Sequence, residues 1–285
     1  MSQAPTTNSG SRPERRAVAV LPARIGSTRL ARKMLLEAAG APLIVHSARN
    51  VIASKTCARV VVAADDDEIL GAVRAHGVEG AKTRADHQSG SDRVNECFAT
   101  LAAAGETAEI VVNVQGDEPE LAHADLQALI AAFDDSTVEM ATLAVPLTDP
   151  AQFSSPNVVK VVCDARGNAL YFSRAPIPAR AHGSAAHSLL ARRHIGVYAF
   201  RPAALTRFCT LARGTLEQTE SLEQLRWLEH GFQLRVIAAS RAPQSIDTLG
   251  DWEAFVARIE SGRRDEDSAS GSVRGARSQS GTGAG

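Results

Sequence analysis

The chain is poor in aromatic residues and has no spaced cysteine pairs. Eight Phe, two Trp and two Tyr make up 4% of 285 residues, so a core must be built mainly from aliphatic side chains. Cys57, Cys97, Cys163 and Cys209 lie far apart with no Cys-x-x-Cys. That excludes a disulfide scaffold and a cysteine-based zinc site, and the four read as reduced core residues. No apolar run reaches the length of a membrane span, and the first fifteen residues lack an apolar signal region, which points to a cytoplasmic protein with no membrane partner. A formal net charge of -1 gives no polyelectrolyte field, so nucleic acid is not expected as a partner, and an anionic ligand must be held by local basic clusters. Walker and Gly-x-Gly-x-x-Gly phosphate loops are absent as well.

What is present is a chain with 44% hydrophobic and 22% charged residues, enough to bury a sizeable core. Residues 1–15 and 261–285 are rich in Ser, Gly, Arg and Pro with little to bury, and read as disordered extensions. Between them, apolar strands alternate with amphipathic segments, which predicts an α/β fold with a mainly parallel sheet covered by helices.

The stretch Ile110–Pro119, Ile-Val-Val-Asn-Val-Gln-Gly-Asp-Glu-Pro, organises the rest. A β-branched run without charge reads as a strand buried on both faces, and its polar residues then emerge at the carboxyl end, where open α/β sheets bind ligands. Gly116 permits the turn, Pro119 ends the strand, and Asp117 and Glu118 lie between them.

A first strand, Ala17–Pro22, runs into a loop carrying Arg24, Ser27, Thr28, Arg29, Arg32 and Lys33 around Gly26. Cations, hydroxyls and a flexible backbone after a buried strand suit a triphosphate. A helix over Leu43–Ala53 and a strand over Arg59–Ala64 follow. Asp65, Asp66 and Asp67 either hold a cation or cap the next helix, and capping is expected of at least two. Thr83–Arg93 then precedes a helix with Val94, Cys97, Phe98 and Leu101 on one face. In that stretch Ser89, Gly90 and Ser91 offer donors at a helix start, with Arg84, His87 and Arg93 as side-chain donors beside them. Later, Glu220–Glu229 reads as one helix, with Glu220, Glu223, Gln224 and Trp227 on one face and Leu222 and Leu225 opposite.

These motifs resemble those of the 3-deoxy-manno-octulosonate (Kdo) cytidylyltransferases, the CMP-Kdo synthetases. The resemblance rests on Pro-Ala-Arg-Ile-Gly-Ser-Thr-Arg-Leu with Lys33, on Thr-Arg-Ala-Asp-His-Gln-Ser-Gly-Ser-Asp-Arg, and on Asn-Val-Gln-Gly-Asp-Glu-Pro. It continues through Pro156–Asp164, Ala169–Pro178, His194–Tyr198, Leu222–Arg226 and Ile246–Thr248. It implies a mixed, mainly parallel Rossmann-like sheet of the nucleotide-diphospho-sugar transferase type over residues 16–260, with residues 157–200 adding strands for a sugar site and a homodimer interface. The implied reaction converts CTP and Kdo to CMP-Kdo and pyrophosphate, with Mg2+, for lipopolysaccharide assembly. By resemblance, Arg24, Ser27, Arg29, Lys33, Arg84, His87, Ser89, Gly90, Arg93 and Gln115 bind CTP, and Asp117 and Asp247 hold the metal. Arg24, Lys33, Asp117 and Asp247 form the catalytic set. Arg174, His194, Tyr198, Glu223 and Gln224 meet the sugar.

Three stretches depart from the family pattern. Leu30-Ala-Arg-Lys-Met34 replaces Leu-Pro-Gly-Lys-Pro, Asp247-Thr248-Leu249 replaces Asp-Thr-Pro, and Ala179–Ala191 does not match. The last of these leaves open another ulosonic acid, such as 8-amino-Kdo or sialic acid, as the acceptor; a catalytically silent nucleotide-sugar binding module is a separate alternative, opposed by the presence of both Asp117 and Asp247.

Overall fold

The computed structural model describes residues 16–26, 30–179 and 191–261. Ser27 and Arg29, nearly all of the unmatched stretch, and the two terminal extensions apart from residue 261 lie outside that set. Eleven strands are present among the described residues. They are β1 (Ala17–Ala23), β2 (Glu37–Ala38), β3 (Ala41–Pro42), β4 (Arg59–Ala64), β5 (Glu79–Lys82), β6 (Ile110–Asn113), β7 (Met140–Pro146), β8 (Lys160–Cys163), β9 (Ala169–Ser173), β10 (Arg192–Phe200) and β11 (Arg235–Ala238). The helices are α1 (Leu43–Ser54), α2 (Asp67–Ala75), α3 (Gly90–Ala103), α4 (His123–Ala131), α5 (Pro150–Ser154), α6 (Pro202–Thr210), α7 (Thr215–Glu220), α8 (Leu225–Glu229) and α9 over residues 249–261.

The main sheet runs β11-β7-β10-β6-β1-β4-β5, and the β8–β9 hairpin is attached through β10. Pairs β1–β4, β1–β6, β4–β5 and β7–β11 are parallel. β10 alone of the seven runs against the rest, inserted between β6 and β7. The chain leaves β1 towards β4 and β5 and then returns to β6 on the other side of β1. The carboxyl ends of β1 and β6 therefore form the topological switch point where such sheets open a crevice.

Alternation along the strands divides the core. Ala17, Ala19 and Leu21 of β1, with Ile110 and Val112 of β6, face α1, α2 and α4. Val18, Val20 and Val111 face α3, α6 and α8. Period-two alternation sends Asn113 to this second face, at the end of β6. The scarce aromatics gather there too. Rings contact in sequence from Phe172 through His194, Tyr198, Phe200, Phe208 and Trp227 to Phe232. A few large rings thereby fill the wide second face that β-branched residues alone would leave under-packed.

Two expectations need correction. Glu220–Glu229 is not one helix: Ser221 takes a left-handed conformation, φ 52°, and ends α7 before α8 begins. Leu225 and Trp227 are both buried, so the predicted two-faced helix does not exist. Gly116 also differs, because its φ is not left-handed. A Cβ there would meet Ile44 Cδ1 at 2.8 Å, Met34 Sδ at 3.1 Å and the Pro22 carbonyl at 3.2 Å, so glycine is required for space. All four cysteines are free, Cys97 buried and the other three partly exposed.

Candidate active site

A cavity of about 300 Å3 opens at the switch point. Arg24 and Gly26 enter it from the end of β1, Gln115, Gly116 and Asp117 from the end of β6, and His87, Ser89, Gly90 and Arg93 from the approach to α3. Lys33 and Asp247 also line it, along with Pro22, Ala23, Met34 and Gln88. The crevice thus brings together nine of the seventeen residues picked out in the sequence, drawn from five separated stretches.

Lys33 lies at its centre. Arg32, in a left-handed conformation with φ 54°, turns the chain into a short 3-10 helix, Lys33–Leu35, and the Lys33 side chain is nearly buried. Its Nζ donates to Asp117 Oδ2 at 2.6 Å and to Asp247 Oδ1 at 3.1 Å. The two carboxylates are held in register by their backbones: the Ile246 N–H donates to the Asp117 carbonyl at 3.0 Å. Asp251 Oδ2 accepts from the N–H groups of Asp247 and Thr248, while the Asp251 N–H donates to Thr248 Oγ1. This reciprocal cap starts α9 without the proline missing after Thr248.

The α3 entrance is equally well built. Ser89 caps the helix, its Oγ accepting from the Asp92 N–H at 3.1 Å, so the free amides of the first turn stay oriented towards the cavity. Arg93 is buried and donates to Thr83 Oγ1, the Arg84 carbonyl and Asp65 Oδ2. Its guanidinium therefore ties α3 to the end of β4. Asp66 caps α2, Asp65 takes Arg93, and Asp67 pairs with Lys82, so only one of the three aspartates caps through its side chain. His87 pairs with Glu96. The Arg84 guanidinium bonds Asp86 at 2.9 Å, outside the cavity lining.

Gln115, assigned to CTP, lies next to the sugar-side residues, which divide. Gln115 Nε2 donates to the Gly196 carbonyl at 3.1 Å, which joins β6 to the irregular part of β10. His194 packs between Phe172 and Tyr198, bonds Thr142 Oγ1 at 3.0 Å, and is pushed down to about 3 by burial, so it is neutral at ordinary pH. Tyr198 is buried, which raises its hydroxyl well above the usual range. Glu223 accepts from Ser91 Oγ at 2.6 Å, and Gln224 is buried with its Nε2 unpaired. The Arg174 guanidinium donates to the backbone carbonyls of Glu220, Pro156 and Ser221.

A second cavity of about 470 Å3 shares Asp247 with the first and is lined by Glu118, Arg193, His194 and Gly196. Glu118 is a residue whose environment the sequence did not disclose. It is buried, Ser245 Oγ donates to its Oε1, and its Oε2 has no partner. Burial first, and the Asp117 charge second, push its carboxyl up to about 8.

Basic side chains, a helix amino terminus and paired carboxylates meeting at this switch point define a nucleotidyltransferase-type α/β enzyme. The cytidylyltransferase family model matches residues 18–237. A 3-deoxy-manno-octulosonate cytidylyltransferase of Rhodopseudomonas palustris (strain HaA2) is 44% identical over 242 residues, covering 84% of this chain and 95% of the relative. That of Acidovorax ebreus (strain TPSY) is 46% identical over 249 residues, 82% and 94% of the two chains. A solved CMP:2-keto-3-deoxy-manno-octonic acid synthetase complexed with CTP superposes with a TM-score of 0.79 at 36% identity, covering 86% of this chain and 99% of that one. A 4-diphosphocytidyl-2C-methyl-D-erythritol synthase from Anaerococcus prevotii, at 12% identity and a TM-score of 0.55, shares the fold. The chain belongs to the cytidylyltransferase family, in its 3-deoxy-manno-octulosonate branch.

Proposed function

We propose that this protein couples CTP to Kdo, giving CMP-Kdo and pyrophosphate for lipopolysaccharide assembly. The observation that carries the reading is the convergence of Lys33, Asp117 and Asp247 beside the α3 amino terminus in a chain of this family. The triphosphate enters over Arg24 and Lys33, and its charge is balanced by those cations and by the amides at Ser89 and Gly90. The anomeric hydroxyl then attacks the α-phosphorus in line. A new P–O bond forms as the hydroxyl proton passes to water, the bond from the α-phosphorus to the bridging oxygen breaks, and its electron pair leaves on pyrophosphate.

The two carboxylates fit a divalent cation. They are hard oxygen donors from distant parts of the chain, and both face one positive charge, the Lys33 ammonium, in a pocket otherwise suited to phosphates. Mg2+ held by Asp117 and Asp247 would polarise the phosphoryl oxygens and offset charge on the leaving group. Lys33 then serves the phosphates rather than the carboxylates, and Arg24 closes the outer side. No group among the described residues gathers three or more His, Cys, Asp or Glu for a metal, which suits an ion that completes its shell with substrate oxygens and water.

Working as a homodimer in the cytoplasm is part of the same reading. No helix among the described residues is long and apolar enough to cross a membrane, and the β8–β9 hairpin carries Leu170 exposed on its surface.

Pyrophosphate release by the purified protein, with CTP, Mg2+ and Kdo present together and each omitted in turn, tests the proposal. Dependence on all three is the expected result. Turnover of 8-amino-Kdo or sialic acid in place of Kdo would reassign the acceptor, and CTP binding with no release from any sugar would leave a binding module.

A further inference from the structure

Ser91 reads in the sequence as one more nucleotide-side donor, but its side chain turns to the other side of the site. It is fully buried in the first turn of α3, and its Oγ donates to Glu223 Oε1 at 2.6 Å across 132 residues of chain. Asn113, at the end of β6 and also fully buried, directs its Nδ2 towards Ser91 Oγ at 3.5 Å. The Ser91 carbonyl accepts from Cys209 Sγ on α6. The serine is therefore gripped from three directions, and the group it presents to Glu223 has little freedom.

Two further observations point towards a ligand. Asn113 Oδ1 and Gln224 Nε2 are buried with no partner in the protein, at 0% and 2% residue exposure. One accepts and one donates, and both flank the Ser91–Glu223 bond in sequence or in contact. Leaving such buried atoms unpaired is unfavourable, and an incoming polyhydroxylated ligand would remove that cost. On the nucleotide side, Ser89 and Gly90 immediately precede Ser91 and line the first cavity. A single helix start thus serves both halves of the site.

We propose that Ser91 is a positioning residue for the acceptor sugar. It holds the Glu223 carboxyl in a fixed direction and links it to the α3 start, whose Ser89 and Gly90 line the nucleotide cavity. The inference rests on the Kdo cytidylyltransferase reading. Glu223 sits in the turn between α7 and α8, its carbonyl accepting from the Arg226 N–H at 3.1 Å, and the hydrogen bond from Ser91 constrains the side chain that this turn leaves to rotate.

The test is a double-mutant cycle with Ser91→Ala and Glu223→Ala, singly and together. Kdo affinity is read as KM, and as Kd by calorimetry with a CTP analogue that cannot be cleaved. Ser91→Ala should weaken Kdo about tenfold in the native background, with CTP affinity held within about twofold. In the Glu223→Ala background the same change should cost under about twofold, because the group it positions is gone. Equal losses in both backgrounds, an unchanged Kdo affinity, or a parallel fall in CTP affinity would overturn the proposal. If Ser91→Ala gives no cooperative melt, Ser91→Cys keeps the volume with a weaker donor, and should show a smaller loss with the same dependence on Glu223. Failure of the functional reading is seen separately, as a native protein that turns over CTP with no sugar, and the proposal falls with it.

Discussion

Lys33 Nζ lies 2.6 Å from Asp117 Oδ2, although 84 residues separate the two in the chain, and the same ammonium reaches Asp247. Two carboxylates that share one ammonium would repel each other, and the lysine offsets part of their charge in the protein without ligands. The same two carboxylates are the proposed metal ligands, so on that proposal Lys33 and a divalent cation would compete for one place.

Replacing Asp117 by Asn tests the carboxylate. The amide keeps the shape and an oxygen for Lys33 but loses the charge. Turnover is expected to fall by roughly 10³-fold or more, while the melting temperature moves by less than about 4 °C. Pyrophosphate release and circular dichroism measure the two effects. Near-native turnover would remove Asp117 from the mechanism.

Lys33→Met separates the lysine's two tasks. Loss of the cation that meets the phosphates should lower turnover by about 10²–10³-fold. In the nucleotide-free protein, removing the competing ammonium should tighten Mn2+ binding about tenfold, read from the electron paramagnetic resonance of free Mn2+. Weaker Mn2+ binding in the variant would argue that the lysine builds the metal site instead of competing for it.

Arg32 carries the positive φ next to Lys33, where a side chain costs roughly 1–2 kcal/mol over glycine. Its ion pair with Glu68 is half exposed and returns little of this. Arg32→Gly is therefore expected to stabilise the fold by about 0.5–1 kcal/mol after the extra unfolded-state entropy of glycine, a rise of about 1–3 °C in Tm. A fall in Tm would mean that the Arg32–Glu68 contact outweighs the backbone cost.

His194 sets a pH dependence of stability. Burial lowers its folded pKa from the ordinary 6.5 to about 3, so its contribution is fully present above pH 6.5 and is lost as pH falls towards 3. With partial exposure to the second cavity allowed for, the loss by pH 5 is about 1–2 kcal/mol. Denaturation of His194→Gln between pH 7.5 and 5 should show a shallower decline than the native protein. Parallel curves would mean that the ring takes up its proton without leaving its place.

Much of the scaffold was legible because it depends on local regularities. Uncharged β-branched runs marked Ala17–Pro22, Arg59–Ala64 and Ile110–Asn113 as strands, and the spacing of Val94, Cys97, Phe98 and Leu101 marked the buried face of α3. The break at Ser221 was not legible, because nothing in Glu220–Glu229 opposes a helix by propensity. Packing of Leu225 and Trp227 into the second face favours a left-handed turn there, and that preference is tertiary.

The same distinction runs through the site. Composition and spacing determined that an α/β sheet would carry cations after its first strand and carboxylates after β6, since both follow from where buried strands must end. Only the tertiary structure decided which of these groups meet. The return of the chain to β6 on the far side of β1 brings Asp117 to Lys33, and the cap of α9 brings in Asp247. The same packing turns Ser91 towards Glu223 and places Arg84 on Asp86. Such long-range choices rest on strand order and helix packing, which no short stretch of sequence encodes by itself.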